Sequence, residues 1–227
     1  MGSDPTGLTP PSSGALWALL AGGALAFVAL ALGYEHEPLA SLDAEVAQWM
    51  ATDLPAWVEW LARPFSWLGG WIGLTALGTA AGILLARERA WLDVAVFLAA
   101  FVGTQLLVSL LKAFFDRARP DLGSVVPLPE SAAFPSGHAA AGAASFGVLA
   151  FLIAERLPRP LRTEFWLAVV VLAVCVGLSR IALNVHFVTD VVAGWCLGLA
   201  WLAACLLARD AVSRRARSDL VAQSHKV

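Results

Sequence analysis

The chain has 227 residues, 59% of them hydrophobic and only 14% charged, with ten Trp and a formal net charge of −2. That balance excludes an ordinary soluble domain and gives no basic surface for nucleic acid, but it suits a chain that lives in a bilayer. Its three Cys are odd in number, fall in apolar stretches and lack metal-like spacing, so they read as small apolar fillers, not as disulfides or ligands.

Residues 1–13 are rich in Pro, Gly, Ser and Thr and are expected to be a disordered tail outside the fold. A spanning helix needs about 20 apolar residues. Residues 14–33, 65–86 and 94–111 are free of charge and meet that need. No Lys or Arg precedes the first, so it reads as a retained helix and not as a cleaved signal. Leu42, Val46, Trp49 and Met50 then recur at helical spacing, and Trp57, Val58, Trp60 and Leu61 follow Pro55, which predicts short interfacial helices in the first connection. Residues 139–154, 165–179 and 191–208 are shorter or end on a charged residue and predict three more helices. The fold class is therefore all-α, a six-transmembrane-helix bundle over 14–208 followed by a basic C-tail over 209–227. Gly69 with Gly73, Gly78 with Gly82, Gly194 with Gly198 and an Ala-Gly run from 139 to 144 suit helices that approach closely. There is no internal repeat of the kind that builds the paired halves of many transporters.

Ten of the 15 Lys and Arg lie in the two tails and the second and fourth connections. The positive-inside rule then predicts a multi-pass protein of the plasma (inner) membrane with both termini cytoplasmic. The first connection carries Glu35, Glu37, Asp43, Glu45, Asp53 and Glu59 against Arg63 alone, as expected on the outer side.

In so apolar a chain, polar residues near the ends of spans carry the information, because burying them is costly unless they are used or paired. Three clusters stand out. Lys112 and Arg119 are seven apart, two helical turns, which would place both cations on one helix face to grip a phosphate. Pro135-Ser136-Gly137-His138 precedes the fourth span. Ser136 can cap that helix, and Gly137 lets the backbone approach an anion. In the third cluster, Ser179-Arg180 is followed by His186 and Asp190, four apart, so the carboxylate can hold one imidazole nitrogen while the other faces substrate. Read singly, each cluster has an ordinary alternative: snorkelling cations, a plain helix cap, a buried structural hydrogen bond. Parity of the spans, however, puts all three on the outer face, which describes an anion site with two proton-transfer or nucleophilic groups. Asp116 and Arg117 fall between the defining positions and read as surface pairing or a further substrate contact.

With Lys-x6-Arg-Pro at 112–120, Pro-Ser-Gly-His at 135–138 and Ser-Arg-x5-His-x3-Asp at 179–190, the chain resembles the type 2 phosphatidic acid phosphatase, or lipid phosphate phosphatase, family. Every defining position is filled. The resemblance implies a lipid phosphatase with His186 as nucleophile, Asp190 as its orienting partner and His138 as the acid and base. Lys112, Arg119, Ser136, Gly137 and Arg180 would form the phosphate cradle, with no metal and no cofactor. The implied partners are the bilayer and a lipid phosphate or pyrophosphate, undecaprenyl pyrophosphate first, then phosphatidylglycerophosphate or phosphatidic acid. The competing readings are a vanadate-holding haloperoxidase, typically soluble, and a non-catalytic lipid-phosphate binding or transport protein, which would not need the two His and the Asp. The oligomeric state is not encoded in these motifs.

Overall fold

The computed structural model describes residues 11–124 and 126–224, and among these the fold is entirely helical. Most of the expected disordered tail, residues 1–10, lies outside the described residues. Helix α1 (Ser13–Gly33) begins where the Ser12 hydroxyl accepts from Ala15 N at 3.2 Å. The first connection folds as the apolar spacing predicts, into α2 (Leu39–Thr52) and α3 (Ala56–Leu68), the latter entered through Pro55. There follow α4 (Trp71–Arg87) and α5 (Trp91–Phe115), a long non-helical stretch, and α6 (Gly137–Ala141). A π-helical turn (Gly142–Phe146) joins α6 to α7 (Gly147–Ala154), and α8 (Arg159–Ala182) and α9 (Val188–Ser224) complete the chain.

Five helical runs are long and apolar enough to cross a membrane: α1, α5, α6 through α7, α8 and α9. The bent pair α3 and α4 supplies a sixth. Here the expectation of one continuous second span over 65–86 is corrected. The helix breaks by 49° between Leu68 and Trp71, and Phe65 belongs to α3. Gly69 ends α3, while Gly70, extended at φ −80 and ψ 173, starts α4. An uncharged run reports that a segment sits in hydrocarbon, but it carries no information on straightness. The C-terminal span also overruns its expected end at 208, continuing without a break to Ser224.

Leu25, Leu32, Leu106, Leu110, Phe114 and Leu167 face outward, as lipid-facing residues should. Leu74, Phe97, Phe101, Phe146, Leu149, Leu152, Val176 and Leu202 are buried together between the helices. Helix α9 packs along α1 and α6. The second of these contacts is backbone against backbone. A Cβ at Gly194 would lie 2.6 Å from the Ser136 carbonyl oxygen, and one at Gly198 would lie 2.4 Å from that of Ala140. At the end of α5 remote from Lys112, Asp93 accepts from Arg156 and from Arg209, each at 2.8 Å. Arg156 also meets Glu88 at 2.7 Å and Arg209 meets Glu155 at 2.8 Å, so α5, α9 and the α4–α5 and α7–α8 connections are tied at one end.

Because the atoms facing Gly198 are the Ala140 carbonyl and the Ala143 Cβ, neither of which can swing aside, Gly198→Ala is expected to destabilise the detergent-solubilised protein by about 1–3 kcal/mol. Gly82→Ala has nothing within 4 Å and should leave the thermal midpoint unchanged or slightly raised. Equal midpoints for the two variants would refute the backbone contact.

Candidate active site

Each of the three clusters sits where a transmembrane helix starts or stops. Lys112 is in the last turn of α5, which Asp116 closes in a left-handed conformation at φ 45. Arg119 therefore does not share a helix face with Lys112, contrary to the seven-residue spacing argument. It reaches the site from the loop beyond α5, pinned by Nη1 to Val185 O at 2.7 Å and by Nε to Ser131 O at 2.9 Å. The Lys112 ammonium donates to Ala132 O. Arg180, in the last turn of α8, donates through Nη1 to the Ser66 hydroxyl on α3.

Ser136 occupies the residue before α6, as expected, but its hydroxyl makes no capping bond. Its backbone N–H instead donates to Asp190 O at 2.9 Å, locking the start of α6 to the first turn of α9. His138 follows in the first turn of α6, with its Nε2 3.3 Å from where a Cβ on Gly70 would stand. It lies within electrostatic range of Arg180, His186, Arg119 and Lys112. The break between α3 and α4 thus flanks this histidine.

His186 is in the connection just before α9 and is 3% exposed. Its Nε2 lies 3.1 Å from Arg119 Nη1 and its Nδ1 lies 3.3 Å from Asp190 Oδ2. A guanidinium can only donate, so Nε2 is the accepting nitrogen and the ring proton sits on Nδ1, toward the carboxylate. Burial first, then the Arg119, Arg180 and Lys112 charges, hold this imidazole well below its ordinary range, so it is neutral and its Nε2 lone pair accepts from Arg119. Asp190 Oδ2 also accepts from Phe187 N at 2.9 Å, as the carboxylate of a capping box would.

Several residues around this centre escape a reading of the sequence. Arg117 is neither a surface pair nor a loose cation. Its side chain is 12% exposed, and Nη1 reaches Asp190 Oδ1 at 2.6 Å and Thr189 Oγ1 at 2.8 Å. Nη2 reaches Asp43 Oδ2, on α2, at 2.8 Å. The guanidinium is held between the rings of Tyr34 and Phe187, each centroid 4.4 Å away. Asp43 also accepts from Thr189 N at 3.0 Å and from the Thr189 hydroxyl. Ser66, Gly70 and Asp43 lie outside the spaced motifs, and Thr189 fills one of their undefined positions; the signal available for Arg117 and Asp43 was the rule that a charge near a membrane boundary needs a partner.

Two carboxylates thus converge on Arg117, whereas Lys112, Arg119 and Arg180 hydrogen-bond neutral oxygens and one imidazole nitrogen. Four buried side-chain polar atoms among the described residues lack a hydrogen-bond partner, and two of them, Ser136 Oγ and Arg180 Nε, belong to this site. A centre of three such cations and free donors beside a neutral imidazole is built for an anion with several oxygens. Among the described residues no group of three or more His, Cys, Asp or Glu is arranged to hold a metal ion.

Comparison with known proteins agrees with this chemistry. A profile of the PAP2 superfamily matches residues 92–214. Phosphatidylglycerophosphatase B of Bacillus subtilis is 31% identical over 177 residues, covering 77% of this chain and 87% of the relative. A decaprenylphosphoryl-5-phosphoribose phosphatase of Mycobacterium tuberculosis is 37% identical over 132 residues, 57% of this chain and 66% of that protein. In structure, the chain resembles a transmembrane PAP2 type phosphatidylglycerolphosphate phosphatase from Bacillus subtilis with a TM-score of 0.78 and 29% identity, covering 83% of this chain and 94% of that one. From the three motifs gathered around one buried imidazole, the bundle that carries them and these likenesses, it follows that the chain belongs to the PAP2 superfamily, as a membrane-spanning phosphatase.

Proposed function

We propose that the protein hydrolyses a lipid phosphate at the outer side of the plasma membrane through a phosphohistidine at His186, without a metal. The observation that carries this reading is the His186 ring itself, neutral, with Nδ1 backed by Asp190 and Nε2 directed at the Arg119 guanidinium. A phosphate that draws Arg119 onto its own oxygens would bring phosphorus to the lone pair that Arg119 now covers. Lys112, Arg119, Arg180, the Ser136 hydroxyl and the Gly137 amide would share the remaining oxygens, and the unpartnered Ser136 Oγ and Arg180 Nε would gain acceptors there.

In the first step Nε2 of His186 forms a bond to phosphorus as the bond to the lipid oxygen breaks. The departing oxygen takes its proton from His138, yielding the lipid alcohol, or the lipid monophosphate if the substrate is a pyrophosphate. In the second step neutral His138 takes a proton from water, the hydroxide adds to phosphorus, and the P–N electron pair returns to His186 as inorganic phosphate leaves. Asp190 keeps the Nδ1 proton in place and offsets the positive charge on the phosphorylated ring.

For the lipid, the name of the Bacillus subtilis relative, matched over 87% of its length, supports phosphatidylglycerophosphate. Undecaprenyl pyrophosphate and phosphatidic acid present the same phosphoryl chemistry and belong in the same panel. The charge distribution of the connections supports cytoplasmic termini and an outward-facing site.

Phosphate release from that panel by purified protein in EDTA is the direct assay. His186→Ala should lose at least about 1000-fold in kcat, consistent with loss of a group on which the chemistry depends. His138→Ala should be slower and accumulate acid-labile phosphoprotein after a rapid quench. Wild-type rates in both variants, or full dependence on added divalent metal, would overturn the mechanism.

The pH profile is a separate test. Neutral His186 is the active form, and its depressed pKa means that protonation silences it only below the ordinary imidazole value of about 6.5. The acid limb of kcat/KM, which reports free enzyme, should therefore fall below that value. An acid limb above it would show that the imidazole is not held neutral in this way.

A further inference from the structure

Arg117 and Asp43 are charged and deeply placed, yet neither takes part in the steps above. Both carboxylates at the back of the site converge on Arg117: Asp190 Oδ1 at 2.6 Å and Asp43 Oδ2 at 2.8 Å. Asp43 is 2% exposed, Asp190 0% and Thr189 2%, so the partners of Arg117 in the bridge are all buried. Thr189 closes it into a ring, its N–H donating to Asp43 Oδ1 at 3.0 Å and its hydroxyl donating to Asp43 Oδ2 and accepting from Arg117 Nη1. Tyr34 and Phe187 clamp the two faces of the guanidinium, so it cannot rotate away without losing both rings. Tyr34 in turn stacks on Phe134, directly ahead of the Pro135-Ser136-Gly137-His138 segment.

The consequence falls on Asp190. Its Oδ1 is fixed by Arg117, and its Oδ2 is shared by Phe187 N and His186 Nδ1. A carboxylate fixed at both oxygens has one orientation to offer the imidazole. The clamp crosses three parts of the chain far apart in sequence: α2 in the first connection, the loop after α5, and the first turn of α9. Arg117 hydrogen-bonds Asp190 on the oxygen turned away from His186, and both its terminal nitrogens are engaged, Nη1 with Asp190 and Thr189 and Nη2 with Asp43, behind His186 and not in the cradle.

We propose that Arg117 and Asp43 are positioning residues, and that the Asp43–Arg117–Asp190 bridge, closed by Thr189, sets the orientation of the carboxylate that holds His186 and so makes helix α2 part of the catalytic apparatus. This rests on His186 as the nucleophile. The bridge acts on the rate of phosphoryl transfer and not on phosphate binding, because Lys112, Arg119 and Arg180 hold hydrogen bonds to Ala132, Ser131, Val185 and Ser66 that do not pass through it.

The test compares wild type, Arg117→Lys, Asp43→Asn, the double variant and His186→Ala, as full-length protein in detergent. The probe is a short-chain phosphatidic acid, with inorganic phosphate as the competitive ligand. Arg117→Lys keeps the charge but cannot bridge two carboxylates, and kcat should drop about 100-fold, the scale of a reacting group misplaced by about an ångström. Asp43→Asn should drop kcat about tenfold, the lower end for loss of an outer partner. KM and the inhibition constant for inorganic phosphate should not change. The double variant should be no slower than Arg117→Lys alone, since both changes break one bridge. The acid limb of kcat should move to higher pH in Arg117→Lys, because the displaced Asp190 charge then falls on His186 with less compensation. The other charged or titratable groups facing that ring, Arg119, Lys112, Arg180 and His138, are unaltered in this variant.

Unchanged kcat in both single variants, with His186→Ala inactive, would overturn the positioning role and leave the phosphohistidine reading standing. Wild-type turnover in His186→Ala would instead sink that reading, and the bridge with it. Losses in KM and phosphate inhibition would show that Arg117 touches substrate, and the proposal would fall. So it would if kcat per folded molecule, counted from the monodisperse chromatographic peak, equalled wild type. If Arg117→Lys does not fold, Asp43→Asn, a neutral replacement of the same shape, decides alone on the same readouts.

Discussion

Positive charge gathered at a membrane boundary without its own counter-charge is the constraint around which this protein is built. Lys112, Arg119 and Arg180 are each partly or fully buried and are satisfied only by carbonyls, a hydroxyl and an imidazole nitrogen. Such an arrangement is unfavourable in a low-dielectric setting until an anion arrives, and so it selects for one. Had Asp43 or Asp190 been placed against these three cations, the centre would be neutral and closed to phosphate. Both acids are instead drawn to a fourth cation, Arg117, on the far side of His186. Burial first, and then the positive front left open by this division of six charged groups, hold the histidine neutral.

Holding like charges together requires a scaffold that cannot relax, and the helix ends provide it. Lys112 and Arg180 sit in last turns, His138 and Asp190 in first turns, where backbone groups are already available for side chains to bond. The start of α6 is fixed on α9 by Ser136 N to Asp190 O, and the two helices then run in backbone contact past Gly194 and Gly198. His138 and Asp190, the proposed acid and orienting carboxylate, are thereby spaced by main chain and not by flexible side chains.

How much of this was legible depends on whether a feature is local. The all-α class and the short helices of the first connection follow from apolar length and period, which the bilayer enforces residue by residue. The eight motif positions are legible because the chemistry demands particular residue types close to the ends of spans. Two local inferences nonetheless failed. Lys112 and Arg119 are seven apart but do not share a helix, because Asp116 turns left-handed and ends α5 first. The span over 65–86 is not straight, because Gly69 and Gly70 allow a break that an apolar average does not register. What could not be read at all was the role of contacts that exist only after folding: Asp43 with Thr189, 146 positions apart, or Ser66 with Arg180, 114 apart. A single sequence offers acidic residues along the first connection in plenty, and nothing local distinguishes Asp43 from Glu45.

Helix α9 shows how these levels meet in one element. Its first turn carries the carboxylate that holds His186, its middle carries the glycines that let α6 close in, and beyond them Arg209 ties it to Asp93 and Glu155. A rigid rod fixed at two points transmits little slack to the stretch between. His186 stands just outside this rod, in the short connection from α8, where Val185 O is held by Arg119 and Phe187 N by Asp190. Its imidazole is therefore anchored on one side by the Arg119 guanidinium and on the other by the Asp190 carboxylate. Its orientation is set by the two groups to which the proposed mechanism gives a part, before any substrate is present.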